Sequence, residues 1–105
     1  SQKNRIAFWG INDYFANMLP DLPAVHGERA YLVDNSRIKQ GSIVEGKMIY
    51  SPEILDELMI DTVIIPVVSY VTTIEKQIQA EYPDVKNVIN ILDLIHPVGE
   101  RQQIA

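Results

Sequence analysis

The sequence contains no cysteine, which excludes disulfides, thiolate zinc sites and cysteine nucleophiles. Basic residues are also short: nine Lys and Arg stand against fourteen Asp and Glu, giving a net charge of −5 and a pI near 4.8. That balance argues against a general nucleic-acid binder, because no face can neutralise a run of phosphates. No apolar run approaches the roughly 18 residues of a membrane span, and nothing ahead of Arg5 reads as a signal peptide. A cytoplasmic protein is therefore expected. The sequence also lacks an HExxH-like metal pair, a Walker loop, a G-x-S-x-G elbow and any nucleophile–base–acid set, so catalysis by this chain alone is not expected. His26 and His96 lie beside Gly27 and Pro97 with no partner arranged around them, and both read as solvated loop residues.

What is present is ordinary globular material: 105 residues, 47% apolar and 22% charged. That is enough for one domain with a real core. The core spans about residues 4–95 with frayed ends, and the chain is either a whole domain protein or a piece of a longer one. Residues 5–9 read as a strand buried on both faces, since the run after Arg5 is continuously apolar. Gly10 breaks the run. Asn12 is a suitable N-cap, with Asp13 at the positive helix end and Tyr14, Phe15, Met18 and Leu19 on one helical face. Pro20 and Pro23 end this helix, and residues 29–33 form a second strand that stops at Asp34. After a polar stretch, residues 47–50 are a short strand. Ser51, Pro52 and Glu53 then start a helix whose buried stripe is Ile54, Leu55, Leu58 and Met59.

Residues 61–68 are a second buried strand with Pro66 near its end. Ser69 or Thr72 caps the next helix, Thr72 with Glu75 at capping-box spacing, and Val71, Ile74, Ile78 and Tyr82 face the core. Residues 86–90 are a final strand; residues 91–96 are strand or a last helical turn. The implied fold is α/β: a single Rossmann-like three-layer domain with a mainly parallel five-stranded sheet in the order 3-2-1-4-5.

In such sheets ligands bind at the carboxyl ends of strands, where strand order reverses. Three stretches are predicted to meet there: residues 9–13, 34–39 and 67–70. The candidate ligand-binding residues are Gly10, Ile11, Asn12, Asp13, Asp34, Asn35, Ser69 and Tyr70. The first group offers backbone N–H donors at a helix start, a natural place for an anion. Asp34 follows Gly10 by 24 residues, close to the spacing at which a carboxylate takes ribose hydroxyls. A G-x-G-x-x-G turn beginning at Gly10 would need glycine at positions 12 and 15, where the chain has Asn12 and Phe15. Either the Phe15 ring lies where helix and strand come together, or it fills the space of a phosphate. Asp34 also reads as a simple turn former with Asn35, Ser69 as an N-cap, and Trp9 as sheet packing or as a lining of the pocket mouth.

The stretches 34–41, 46–53 and 61–67 carry an Asp-Asn pair, a Lys-Gln-Gly turn, a Ser-Pro-Glu helix start and an apolar strand. In these the chain resembles the small Rossmann-like domains of bacterial surface-polysaccharide proteins, over about residues 4–95. Such domains accompany sugar O-acetyltransferases, nucleotide-sugar dehydratases and epimerases, glycosyltransferases and FkbM-type methyltransferases. The resemblance implies a nucleotide-sugar pocket, with residues 10–13 and 34–35 facing Ser69 and Tyr70. The leading expectation is a non-catalytic nucleotide-sugar-binding module with a degenerate phosphate loop, either linked to a catalytic domain or assembled as a homo-oligomer. NAD(P) and CoA stand behind nucleotide-sugar as ligands. A ligand-free interaction or dimerisation domain with a filled pocket is the alternative, and an NAD(P)-binding oxidoreductase or sensor the third.

Overall fold

The computed structural model describes residues 5–21 and 27–90. The expectations for His26, for His96, for residues 91–96 and for both chain ends lie outside the described residues. Strand β1, Ile6–Trp9, is central: it pairs in parallel with β2, Ala30–Val33, on one side and with β5, Thr62–Ile65, on the other. Beyond β2 come β4, Lys47–Tyr50, in parallel, and β3, Ile43–Val44, antiparallel to it; β6, Asn87–Asn90, pairs in parallel with β5. The sheet therefore has six strands in the order β3-β4-β2-β1-β5-β6, not five in the order 3-2-1-4-5. The added strand is the outer arm of a hairpin closed by Glu45 and Gly46, both at positive φ (50° and 79°). Two successive left-handed residues match the twist of the strands they join.

Both sheet faces are covered, which explains why the strands lack alternation. Helix α1, Asp13–Met18, followed by a 3₁₀ turn at Leu19–Asp21, buries Phe15 and Leu19 against Phe8, Leu32 and Ile49. On the other face α2, Ile54–Glu57, and α3, Val71–Glu81, pack on Ala7, Trp9, Val33, Val63 and Ile65. Leu19, Leu32 and Leu55 are fully enclosed. Each contributes roughly 1.5–3 kcal/mol by leaving water.

Several boundaries differ from expectation. Tyr14 is exposed, since only Phe15 of α1 and Leu19 of the turn after it are fully buried. The second apolar run stops being strand at Ile65, before Pro66. Helix α2 is a single turn, and Met59 lies beyond it, exposed and left-handed, instead of in its buried stripe. Neither Ser51 nor Ser69 caps a helix through its hydroxyl: Ser51 Oγ donates to Glu53 Oε1, and the cap positions are Glu53 and Tyr70, neither of which makes a side-chain capping bond. Glu75 accepts from Asn90 Nδ2 at 2.8 Å and so joins α3 to β6 instead of forming a capping box with Thr72. No helix among the described residues is long and apolar enough to cross a membrane.

Candidate functional site

The strand order reverses between β1 and β5, so α1 and α3 leave the sheet on opposite faces from neighbouring strand ends. Between them lies a crevice of about 420 Å³, within the usual size of small-molecule pockets. Its lining comes from all three stretches: Trp9, Gly10, Ile11 and Asn12; Asp34, Asn35, Ser36 and Lys39; Val67, Ser69 and Tyr70, joined by Thr73 and Ile74 of α3. Of the sequence candidates, Gly10, Ile11, Asn12, Asp34, Asn35, Ser69 and Tyr70 meet here. Asp13 does not line the crevice; it is exposed on the first turn of α1.

Gly10 is fixed by its surroundings. Its φ is +111°, and a Cβ there would lie 2.6 Å from Val67 Cγ2. The β1–α1 turn thus presses on the chain leaving β5, which only a glycine allows. Asn12 closes the start of α1, its Oδ1 accepting from Phe15 N–H at 2.8 Å in an extended backbone (φ −91°, ψ 174°). It therefore keeps the turn by capping, without a left-handed conformation. Phe15 lies at the helix–strand junction, its ring 5.7 Å from that of Phe8, and takes no part in the crevice wall. The pocket is open, so the version in which this ring fills it does not hold.

Asp34 is engaged on both oxygens. Oδ2 accepts from Ile11 N–H and Oδ1 from Ser36 N–H, each at 2.8 Å. The carboxylate thus bonds the N–H of the glycine turn that an anionic ligand would otherwise meet, while also making the turn with Asn35. Lys39 bridges above it, Nζ donating to Ile11 O at 2.7 Å and lying 3.9 Å from Asp34 Oδ2. Gln40 Nε2 donates to Asp34 O at 2.9 Å. Across the mouth, Asn35 Nδ2 donates to Gln77 Oε1 at 3.0 Å, and Gln77 Nε2 returns a bond to Asn35 Oδ1 at 3.3 Å. This amide pair ties the loop after β2 to α3.

Trp9 settles between its two sequence readings by doing both. It is 1% exposed, packs edge-on to Tyr82 with ring centroids 6.0 Å apart, and still forms part of the crevice wall. Thr73, Ile74 and Gln77 were absent from the sequence candidates. Their helical spacing from Tyr70 was the available signal, since residues three and four apart share a face. No group of three or more His, Asp or Glu suited to a metal occurs among the described residues.

A family model described as C2185-like, N-terminal, matches residues 2–89. No curated protein matches the sequence. Among solved structures, a UDP-D-quinovosamine 4-dehydrogenase from Vibrio fischeri aligns with a TM-score of 0.53 and 22% identity, over 90% of this chain and 84% of that one. At that identity the likeness is one of fold, an α/β Rossmann-like arrangement.

Proposed function

The chain belongs to the C2185-like N-terminal family, and from that premise we propose that it is a non-catalytic nucleotide-sugar-binding module of a bacterial surface-polysaccharide or sugar-modifying protein. Residues 1–105 form one domain, cytoplasmic, acting beside a linked catalytic domain or within a homo-oligomer. The observation that carries this reading is the convergence of three strand-end loops on one open crevice. The fold shared with the UDP-D-quinovosamine 4-dehydrogenase adds weight by analogy, a weaker warrant than site chemistry. Gly10 to Asn12 and Asp34 with Asn35 form one wall, and Ser69 and Tyr70 the other. The non-catalytic part rests on the sequence, in which no nucleophile and base are arranged together.

The experiment is a thermal-shift and calorimetric panel of UDP-sugars, NAD(H), CoA and S-adenosylmethionine. A UDP-sugar at a hundredfold excess over Kd should add about 2.7 kcal/mol of stability, a rise in Tm of several degrees. Silence across the UDP-sugars with a folded sample overturns the reading. A response to NADH alone moves the assignment to a nicotinamide sensor or oxidoreductase domain. One observation favours a ligand-free interaction domain instead: Asp34, Lys39, Asn35 and Gln77 already bond one another. That version predicts self-association by light scattering and no response to the panel.

A further inference from the structure

The edge of a sheet is where another chain can add, because an edge strand shows backbone donors and acceptors without partners. Strand β3 is such an edge, with no strand beyond it among the described residues. Its register fixes which residue faces outward. Ile49 N–H donates to Ser42 O at 2.8 Å, so the ladder bonds lie at that pair, and the next pair, Ile43 with Met48, is a non-hydrogen-bonded one. In an antiparallel ladder this turns the N–H and C=O of Ile43 away from β4. Natural edges are blunted by lysine, proline or an inward charge; β3 is short, but it holds only Ile43 and Val44.

The side chains beside this edge are apolar and uncovered. Cross-strand partners share a face, so Ile43, 65% exposed, stands next to Met48, also exposed. By alternation along β4, Tyr50 lies on the same face, its ring centroid 6.2 Å from that of Tyr31. The single turn of α2 leaves both tyrosines half-buried against the α2–α3 cluster and does not reach the outer part of the face. Ile38, in the turn ahead of β3, is 92% exposed. Two exposed charges flank the strand without an ion-pair partner among the described residues: Arg37 before it and Glu45 at the hairpin tip after it. The neighbouring Lys39 and Lys47 are instead held by the carbonyls of Ile11, Gly27 and Ala30. A strand with a positive charge before it and a negative one after it complements a reversed copy of itself.

We propose that β3 pairs with β3 of a second copy of this chain, antiparallel about a two-fold axis at Ile43. Ile43 N–H of each copy donates to Ile43 O of the other, and the apolar strip of Met48 and Ile43 runs on into its symmetry mate. Glu45 of each copy lies against the turn of the other that carries Arg37 and Ile38. The interface is isologous and closes at two chains. It is small, so the dimer is weak and concentration-dependent. Arg37, Ile38, Ile43, Glu45 and Met48 do not line the crevice, so the pairing is independent of any ligand there.

Sedimentation velocity on the 105-residue chain, from micromolar to millimolar, tests this. The mass should rise from one chain to two and stop there, while amide exchange at Ile43 slows in step. A mass of one chain at every concentration overturns the proposal and leaves the edge to a partner of another kind; a mass that climbs past two overturns the closed pairing. Ile43→Lys, at an exposed position, should abolish the dimer and leave the melt of the dilute chain unchanged. A dimer that survives Ile43→Lys overturns the proposal. Arg37→Glu and Glu45→Arg should each weaken association about fivefold, and the double variant should restore it, because the pairs re-form with exchanged signs. Single variants that associate like the native chain, or a double variant no better than either, overturn the register. The ligand panel is read separately: silence there beside a β3 dimer removes the nucleotide-sugar reading and leaves this inference standing.

Discussion

At the scale of single residues, Gly10 and Tyr82 carry the clearest consequences. The break after residue 9 is visible in the sequence; the reason for glycine is not, because the atom it must avoid belongs to Val67, far along the chain. Gly10→Ala places a Cβ 2.6 Å from Val67 Cγ2 at a φ of +111°. Left-handed strain and overpacking together should cost about 2–4 kcal/mol in urea denaturation. Adding Val67→Ala should recover the steric part and leave the backbone strain, a non-additive cycle that two independent sites would not give. Tyr82 makes a pH-dependent contribution. Burial raises its pKa above the usual 10.0, and the charges of Glu81, Glu53 and Asp56 push in the same direction. The folded chain therefore holds this proton more tightly than the unfolded one. Its contribution is complete below about pH 10 and is lost as pH climbs through the raised value. Urea midpoints measured up the alkaline limb should fall for the native chain, and Tyr82→Phe should remove that part of the fall.

At the scale of elements, the sequence was legible where a buried strand reads as a continuous apolar run. Residues 5–9 and 29–33 became β1 and β2 within a residue or so. It was illegible where a turn dictates structure through left-handed backbone on ordinary residues. Glu45 gave no glycine-pair signal, so β3 was missed, and Met59 looked like one more apolar residue at helical spacing. Its actual role is to end α2. Ile60 N–H bonds Leu55 O at 2.9 Å and Met59 N–H bonds Asp56 O at 3.3 Å, the paired closure of a Schellman motif, with Ile60 and Leu55 both buried. Glycine is the usual residue at the left-handed position of that motif, yet Met59 holds φ +52° with its side chain 81% exposed. Met59→Gly should therefore stabilise the domain by about 0.5–1 kcal/mol, the strain relieved exceeding the entropy glycine adds to the unfolded chain. Thermal or urea unfolding checks the sign. The converging loops of the candidate site were legible from strand ends alone, whereas the α3 wall was signalled only by the helical spacing of Thr73 and Ile74 from Tyr70, which strand ends do not report.

At the scale of the molecule, one sheet divides the interior into two apolar clusters, and the same strands feed both. Ala7 and Trp9 of β1 belong to the α2–α3 side, Phe8 to the α1 side; Val33 and Leu32 of β2 divide likewise. Neither cluster can dissolve while its strands stay paired, since the opposite face would then expose the same ladder to water. Unfolding should therefore be a single transition, as is usual for domains of this length. The lone Trp9 reports on one cluster only, so the test is a change made in the other. Ile49 is 2% exposed on the α1 side. Ile49→Val should lower stability by about 0.5–1.5 kcal/mol. If the sheet couples the two faces, Trp9 fluorescence and far-UV circular dichroism will report that same loss, at coincident urea midpoints, although the substitution lies across the sheet from the indole. A dichroism midpoint that falls while the Trp9 midpoint stays would mean that the α1 layer opens separately, and the crevice between α1 and α3 would then be a hinge between two units and not a cleft in one.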